Sequence, residues 1–240
     1  MPRSYSVTDI GRKRKMNQDY VFATDSPIGG LDNLYIVADG MGGHNAGEYA
    51  SAFSVEELKD LVVELGQAEI EIILHRALQE VNRRLRTVAA SDSRYYGMGT
   101  TIVIATVRGG ILYVANVGDS RLYLKKNRLR QITVDHSLVE EMVLAGTLDQ
   151  KKARMHPDKN VITRAIGAED TLEIDFFREK VTEGNIVLMC SDGLTNMVED
   201  SEIEEILGSS RSLEDAGGKL LEKANENGGS DNISVLLVKI

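Results

Sequence analysis

Five aspartates sit where a short apolar run meets a tight turn, and no other feature of this 240-residue chain restricts its fold as much. Asp39 ends Tyr35-Ile36-Val37-Ala38 and opens Gly40-Met41-Gly42-Gly43-His44. Asp119 follows Gly118 at the end of Tyr113-Val114-Ala115-Asn116-Val117, and Asp192 lies between Ile186-Val187-Leu188-Met189-Cys190-Ser191 and Gly193. Asp231 stands in Gly228-Gly229-Ser230-Asp231-Asn232, just before the last apolar run, and Asp19 opens the segment beginning Tyr20-Val21-Phe22. One such Asp is ordinarily a turn former that bonds its own backbone. Five of them set a condition on the fold. If the strands pair so that these ends meet, the carboxylates repel one another unless cations stand between them.

The rest of the chain supplies short strands and longer helices in irregular alternation. Leu58, Leu61, Val62 and Leu65 recur at helical spacing, which predicts an amphipathic helix over about 47–65. A broader stripe from Ile70 to Leu85 predicts a second, reaching about residue 89. Ser137, with Glu140 three residues on, marks the start of a third, and Leu213, Ala216, Leu220, Leu221 and Ala224 mark another. Apolar strands are expected over 34–38, 101–107, 111–117, 122–125, 172–178, 186–190 and 233–240, the second and third joined by an Arg108-Gly109-Gly110 hairpin. Without a regular strand–helix–strand beat, largely antiparallel sheet with separate helical layers fits better than a doubly wound parallel fold. There is no repeat or Pro/Ser linker, so one domain over 1–240 is expected.

Composition removes several classes. The single Cys190 excludes a disulfide framework and is compatible with a reducing cytoplasm. No apolar run approaches the roughly 18 residues of a membrane span, and the first residues hold no secretory apolar core. A net charge of −9 with no Trp and four Phe argues against a nucleic-acid binder. The acidity is concentrated in residues 169–240, which carry 17 acids and 6 bases, a pattern expected of solvated helix faces.

Clustered carboxylates with a nearby backbone carbonyl suit hard divalent ions, Mg²⁺ or Mn²⁺. Glycine beside Asp39 lets the main chain come close, which makes the Gly40 carbonyl a candidate ligand. Paired metals about 4 Å apart activate a water and clamp a phosphoryl group for in-line attack. Such a site also needs a cation for the non-reacting phosphate oxygens. Arg14 matches that need by its guanidinium fork, although Arg12-Lys13-Arg14-Lys15 also reads as a solvated basic run.

These residues fall in blocks that resemble the metal-dependent serine/threonine protein phosphatases of the 2C type, in their compact bacterial form. The blocks are Thr8-Asp9-Ile10-Gly11 with Arg14-Lys15-Met16-Asn17-Gln18-Asp19, Val37-Ala38-Asp39-Gly40-Met41-Gly42-Gly43-His44, Gly99-Thr100-Thr101 and Val117-Gly118-Asp119-Ser120-Arg121. Asp135-His136-Ser137, Ser191-Asp192-Gly193-Leu194 and Gly229-Ser230-Asp231-Asn232-Ile233-Ser234 complete the ordered set. The resemblance implies an α+β fold, a four-layer α-β-β-α sandwich of two mostly antiparallel sheets flanked by helices. It implies that Asp39 bridges two core ions with the Gly40 carbonyl on one of them, and that Asp192 and Asp231 hold one ion while Asp19 reaches the other. Asp119, with Asp192, would hold a possible third and weaker ion, and Arg14 would bind phosphate. A mobile flap is expected at about 147–166, containing His156 and Arg164. Met41 takes the place where some members carry a His, so His44, three residues on, is the candidate general acid, with a metal-bound water as the alternative. His136 is expected to hold a turn.

The resulting expectation is hydrolysis of phosphoserine and phosphothreonine in proteins by a hydroxide bridging two Mn²⁺ or Mg²⁺ ions. Rival phosphatase chemistries lack their residues: Cys190 is not followed by Arg six positions later, and no Asp-x-Asp occurs. A metal-dependent phosphodiesterase and an inactive phosphopeptide reader are the alternatives, the second disfavoured because all five acids are present. The expected setting is a monomer in a bacterial cytoplasm, opposing a serine/threonine kinase, with no nucleic acid and no membrane insertion.

Overall fold

The computed structural model describes residues 2–43 and 45–240, Lys151 in its backbone only. The first half runs β1 (Arg3–Asp9), β2 (Asp19–Thr24), β3 (Leu34–Met41), α1 (Ala46–Leu65), α2 (Ile70–Ser91), β4 (Gly99–Thr100), β5 (Ile102–Arg108) and β6 (Ile111–Val117). The second runs β7 (Arg121–Lys125), β8 (Leu129–Gln131), α3 (Leu138–Leu144), α4 (Gln150–Ala153), β9 (Asp175–Lys180), β10 (Ile186–Cys190), α5 (Asp192–Thr195), α6 (Asp200–Ser209), α7 (Leu213–Glu226) and β11 (Ile233–Lys239).

Two sheets form, ordered β1-β11-β10-β7-β8 and β2-β3-β5-β6-β9, with β4 paired to β3. Every named pairing is antiparallel. Side chains alternate between the faces of a strand, and that alternation divides the core into three. Leu34, Ile36 and Ala38 of β3 join Ile102 and Ile104 of β5 under α1 and α2. Tyr35 and Val37 face the opposite way, meeting Leu122, Leu124, Val187, Met189, Leu236 and Val238 between the sheets. Leu188, Cys190, Val235 and Leu237 pack on the far side against α6 and α7. The molecule is therefore layered α-β-β-α, as expected.

The helices are held by the stripes that predicted them. Ile73, Leu74, Ala77, Leu78, Val81 and Leu85 of α2 are wholly buried, and each larger aliphatic among them contributes about 2 kcal/mol. Ser137 caps α3 by accepting from the Glu140 N–H at 3.3 Å. No helix among the described residues is long and apolar enough to cross a membrane.

Two strand assignments needed the whole structure. The run expected at 172–178 enters the ladder only at Asp175, opposite Asn116. Leu172 is buried in the helical core layer instead, and its carbonyl accepts from Gln79 Nε2. The polar segment Arg3–Asp9, which shows no apolar run, is the edge strand beside β11. Edge strands are where such sequences are tolerated.

Candidate active site

Pairing of β2 with β3 sets Asp19 directly opposite Asp39. Like charges at facing positions destabilise a sheet, and here one of them, Asp19, is only 8% exposed. Burial pushes the Asp19 carboxyl up to about 6, against hydrogen bonds from Ser191 and Ser234 that favour its charged form. Asp39 is raised well above the ordinary carboxylate range, first by desolvation and then by the fields of Asp19, Asp192, Asp119 and Asp231. Asp192 is raised for the same reasons, with Asp119, Asp231 and Asp19 as its neighbours. Asp119 is pushed up to about 6 by burial and the field of Asp135. Folding thus brings all five sequence-predicted acids within one another's electric fields.

The main chain around Asp39 is fixed on both sides. Its N–H donates to Thr101 Oγ1 at 3.1 Å, while its carbonyl accepts from Thr101 N–H at 2.9 Å and Thr100 Oγ1 at 2.8 Å. Gly40 follows with its N–H donating to the Gln18 carbonyl at 3.0 Å. A Cβ on Gly40 would lie 2.0 Å from the Gly47 carbonyl oxygen and 2.7 Å from that of Gln18, so only glycine lets these three segments meet.

Arg14 stands at the edge of the cluster, its Nη2 2.7 Å from Asp231 Oδ2, with about half of its side chain exposed. His44 lies outside the described residues. Beside Asp119 and Asp192 opens a cavity of about 550 Å³, whose other walls include Gln150, Ala153, Arg154 and Lys159 from the 147–166 stretch.

Sequence reasoning did not single out the side chains that deliver these acids. Asn232 is 3% exposed; its Oδ1 accepts from Gln18 N–H at 2.9 Å, and its Nδ2 donates to the carbonyls of Ile10 at 3.0 Å and Met16 at 2.9 Å. One amide thereby clamps the loop that carries Arg14 and Asp19 against the strand entry that carries Asp231. Ser191 donates to Asp19 Oδ2 at 2.7 Å, and Asn196 donates to Asp192 Oδ2 at 2.8 Å. The only signal for Asn232 and Ser191 was their place inside the quoted blocks, since Asn and Ser are equally common in turns, and Asn196 lies outside those blocks.

The donor set fits a hard divalent cation. It consists of oxygens alone, and Asp19 Oδ1 and Asp192 Oδ1 are buried with no hydrogen-bond partner. Buried carboxylate oxygens without donors are costly unless something positive serves them. The acids are not drawn onto a single point: among the described residues, no three His, Cys, Asp or Glu side chains form a ready-made cage for one ion.

The sequence of residues 11–237 matches the family model described as protein phosphatase 2C. The chain is 45% identical over 239 residues to the serine/threonine phosphatase stp of Listeria monocytogenes, covering 97% of this chain and 93% of that protein. The structure of the serine/threonine phosphatase of S. agalactiae superposes with a TM-score of 0.92 at 37% identity, over 100% of both chains. The catalytic domain of the serine/threonine protein phosphatase PstP, solved in complex with 2 manganese ions, superposes with a TM-score of 0.87 at 30% identity, over 99% of this chain and 97% of that one.

Proposed function

The chain belongs to the protein phosphatase 2C family, and from that premise we propose that it hydrolyses phosphoserine and phosphothreonine esters of proteins at the Asp19–Asp39 cluster. The observation that carries the reading is the facing pair Asp19 and Asp39 in the β2–β3 register, with the unpartnered Asp19 oxygen beside it. A sheet that places like charges at one end needs a counter-charge there; among the described residues the half-exposed Arg14 bonds Asp231, and Arg121, paired with Asp135, reaches Asp119 and Asp192 through its field.

Asp19, Asp39, Asp192 and Asp231, with the Gly40 carbonyl, would hold two Mn²⁺ or Mg²⁺ ions, and Asp119 with Asp192 a third. When bound, such ions acidify water and neutralise the charge that gathers on a phosphoryl group in flight. The chain's own residues orient the reaction. Arg14 releases Asp231 and presents its fork to two phosphoryl oxygens, a bidentate contact that a lysine could not make. The hydrogen bonds on both sides of Asp39 keep its carboxylate from following the substrate, which preorganises the site. His44 is assigned the proton delivered to the leaving serine or threonine oxygen, on sequence grounds alone. Cys190 takes no part: burial pushes its thiol above the usual range, away from the nucleophilic thiolate. The same reading places the enzyme in the cytoplasm, working against a serine/threonine kinase.

The test is Mn²⁺-dependent hydrolysis of a phosphothreonine peptide by Asp39→Asn and Asp192→Asn. Both variants are expected to fold and to lose the activity. Full activity in either one refutes the assignment.

A further inference from the structure

The proposed chemistry leaves His136 without a task, yet the residue is buried, at 5% exposure. It is bonded to three separate parts of the fold. Its backbone N–H donates to the Gly118 carbonyl at 3.0 Å, and the Gly118 N–H donates back to His136 Nδ1 at 3.0 Å. Its carbonyl accepts from Thr163 N–H at 2.8 Å, which ties in the segment returning from the cavity wall. Its Nε2 lies 3.2 Å from Asp175 Oδ2.

These contacts fix the state of the ring. Because Nδ1 accepts a hydrogen bond, the proton of the neutral imidazole sits on Nε2, with Asp175 Oδ2 as the carboxylate oxygen 3.2 Å away. Arg164 Nη1 also approaches Nε2, at 3.3 Å, but two donors cannot bond each other. Arg164 instead donates to the other Asp175 oxygen at 3.0 Å, holding that carboxylate in place. The ordered chain is Arg164 to Asp175, Asp175 to the ring, and the ring to the Gly118 N–H.

Gly118 is the residue immediately before Asp119, and its conformation is a demanding one. Its φ is +106°, and a Cβ there would fall 2.5 Å from the Thr101 Cβ. The turn is thus pressed onto the residue whose hydroxyl receives the Asp39 N–H and lies 2.8 Å from Ser120 Oγ. A small rotation of the Gly118 peptide would swing Asp119 relative to Asp39.

We infer that His136 is a positioning residue for Asp119: its Nε2-protonated ring, oriented by Asp175, fixes the Gly118–Asp119 turn and so the place of that carboxylate in the acidic cluster. The inference rests on the proposed reading of the cluster as a metal site. Groups that orient a metal-binding side chain from outside commonly change affinity by about 10–100-fold when removed.

The experiment titrates Mn²⁺ into the metal-free full chain by isothermal calorimetry, for the unaltered protein and for His136→Phe, His136→Asn, His136→Gln and Asp119→Asn. Phenylalanine keeps the ring but offers Gly118 no acceptor, and it is expected to weaken the Asp119-dependent binding step by about tenfold or more. Asparagine can set Oδ1 where Nδ1 stands and is expected to recover most of that affinity; glutamine, which reaches the Nε2 position, is not. A packing role alone would not distinguish Asn from Gln. Binding by His136→Phe within about twofold of the unaltered chain, while Asp119→Asn loses it, overturns the inference and leaves the cluster reading intact. No Mn²⁺ binding by the unaltered chain overturns the cluster reading and the inference with it. If His136→Phe does not fold, equal affinities of the Asn and Gln variants overturn the inference. Nitrogen NMR of the metal-free chain adds an independent check: a proton on His136 Nε2 is expected, and a proton on Nδ1 would sink the idea.

Discussion

Replacing Asp19 by Asn separates the strain of the acidic cluster from its use. The amide keeps the side-chain shape, its oxygen can still accept from Ser191 Oγ, and its new donor has Asp39 as an acceptor. What disappears is a buried charge facing another. Burial moves the Asp19 carboxyl from 3.8 to about 6. At about 1.4 kcal/mol per pH unit of displacement, keeping it ionised near neutral pH costs the fold roughly 3 kcal/mol. The buried amide also loses hydration, so a net gain of about 1–2 kcal/mol is expected in chelator, or roughly 3–6 °C in a chain of this size. Saturating Mn²⁺ should reverse the order. The unaltered protein gains about 2.7 kcal/mol at a hundredfold excess over Kd, and the variant forfeits most of it. Differential scanning calorimetry in chelator and in Mn²⁺ therefore reads a change of sign. A variant that melts lower than the unaltered chain in both conditions would refute the reasoning, as would an unaltered chain that Mn²⁺ does not stabilise.

The same displaced carboxyls predict a pH dependence. Asp19 and Asp119 titrate near 6 in the folded chain against an ordinary 3.8, so the folded state binds more protons across that window and stability falls as pH rises through it. Taking the metal-free protein from about pH 7 to about pH 5.5 should stabilise it by roughly 1–2 kcal/mol; a Tm that stays level or drops over that interval contradicts the prediction. Arg14→Ala removes a charge-assisted contact and should raise KM for a phosphopeptide by about tenfold with a smaller effect on kcat. An unchanged KM returns Arg14 to the solvated basic run. Asn232→Ala strands the Gln18 N–H and the Ile10 and Met16 carbonyls, and should cost about 2–4 kcal/mol in urea unfolding together with activity. A loss below about 1 kcal/mol would show that the clamp is dispensable.

How much of this was legible beforehand follows from the range of the forces involved. The apolar stripes of α1 and α2 and the strands β3, β5, β6, β7, β10 and β11 stand in the amino-acid order within a few residues, because period and burial are local properties. The single turn α5 and the capped helix α6 went unread. So did the polar edge strand β1, whose place depends on β11 more than two hundred residues away. The five acids were visible as a pattern of strand ends. Their facing register, Asp19 against Asp39, was not, since register depends on which strands become neighbours.

Residue order was thus enough to propose a chemistry for this chain: oxygen donors at turns, one arginine offered to a phosphate, and a thiol left out of the reaction. It could not say which of its many asparagines and serines, or of its four histidines, would stand behind those acids. Asn232, Ser191 and His136 acquire their importance from partners that are distant in the chain, and a hydrogen bond acts only over about 3 Å. Until the two sheets stack, none of those partners is within reach. Their selection therefore belongs to the packed sandwich, which also forces the carboxylates together against their mutual repulsion.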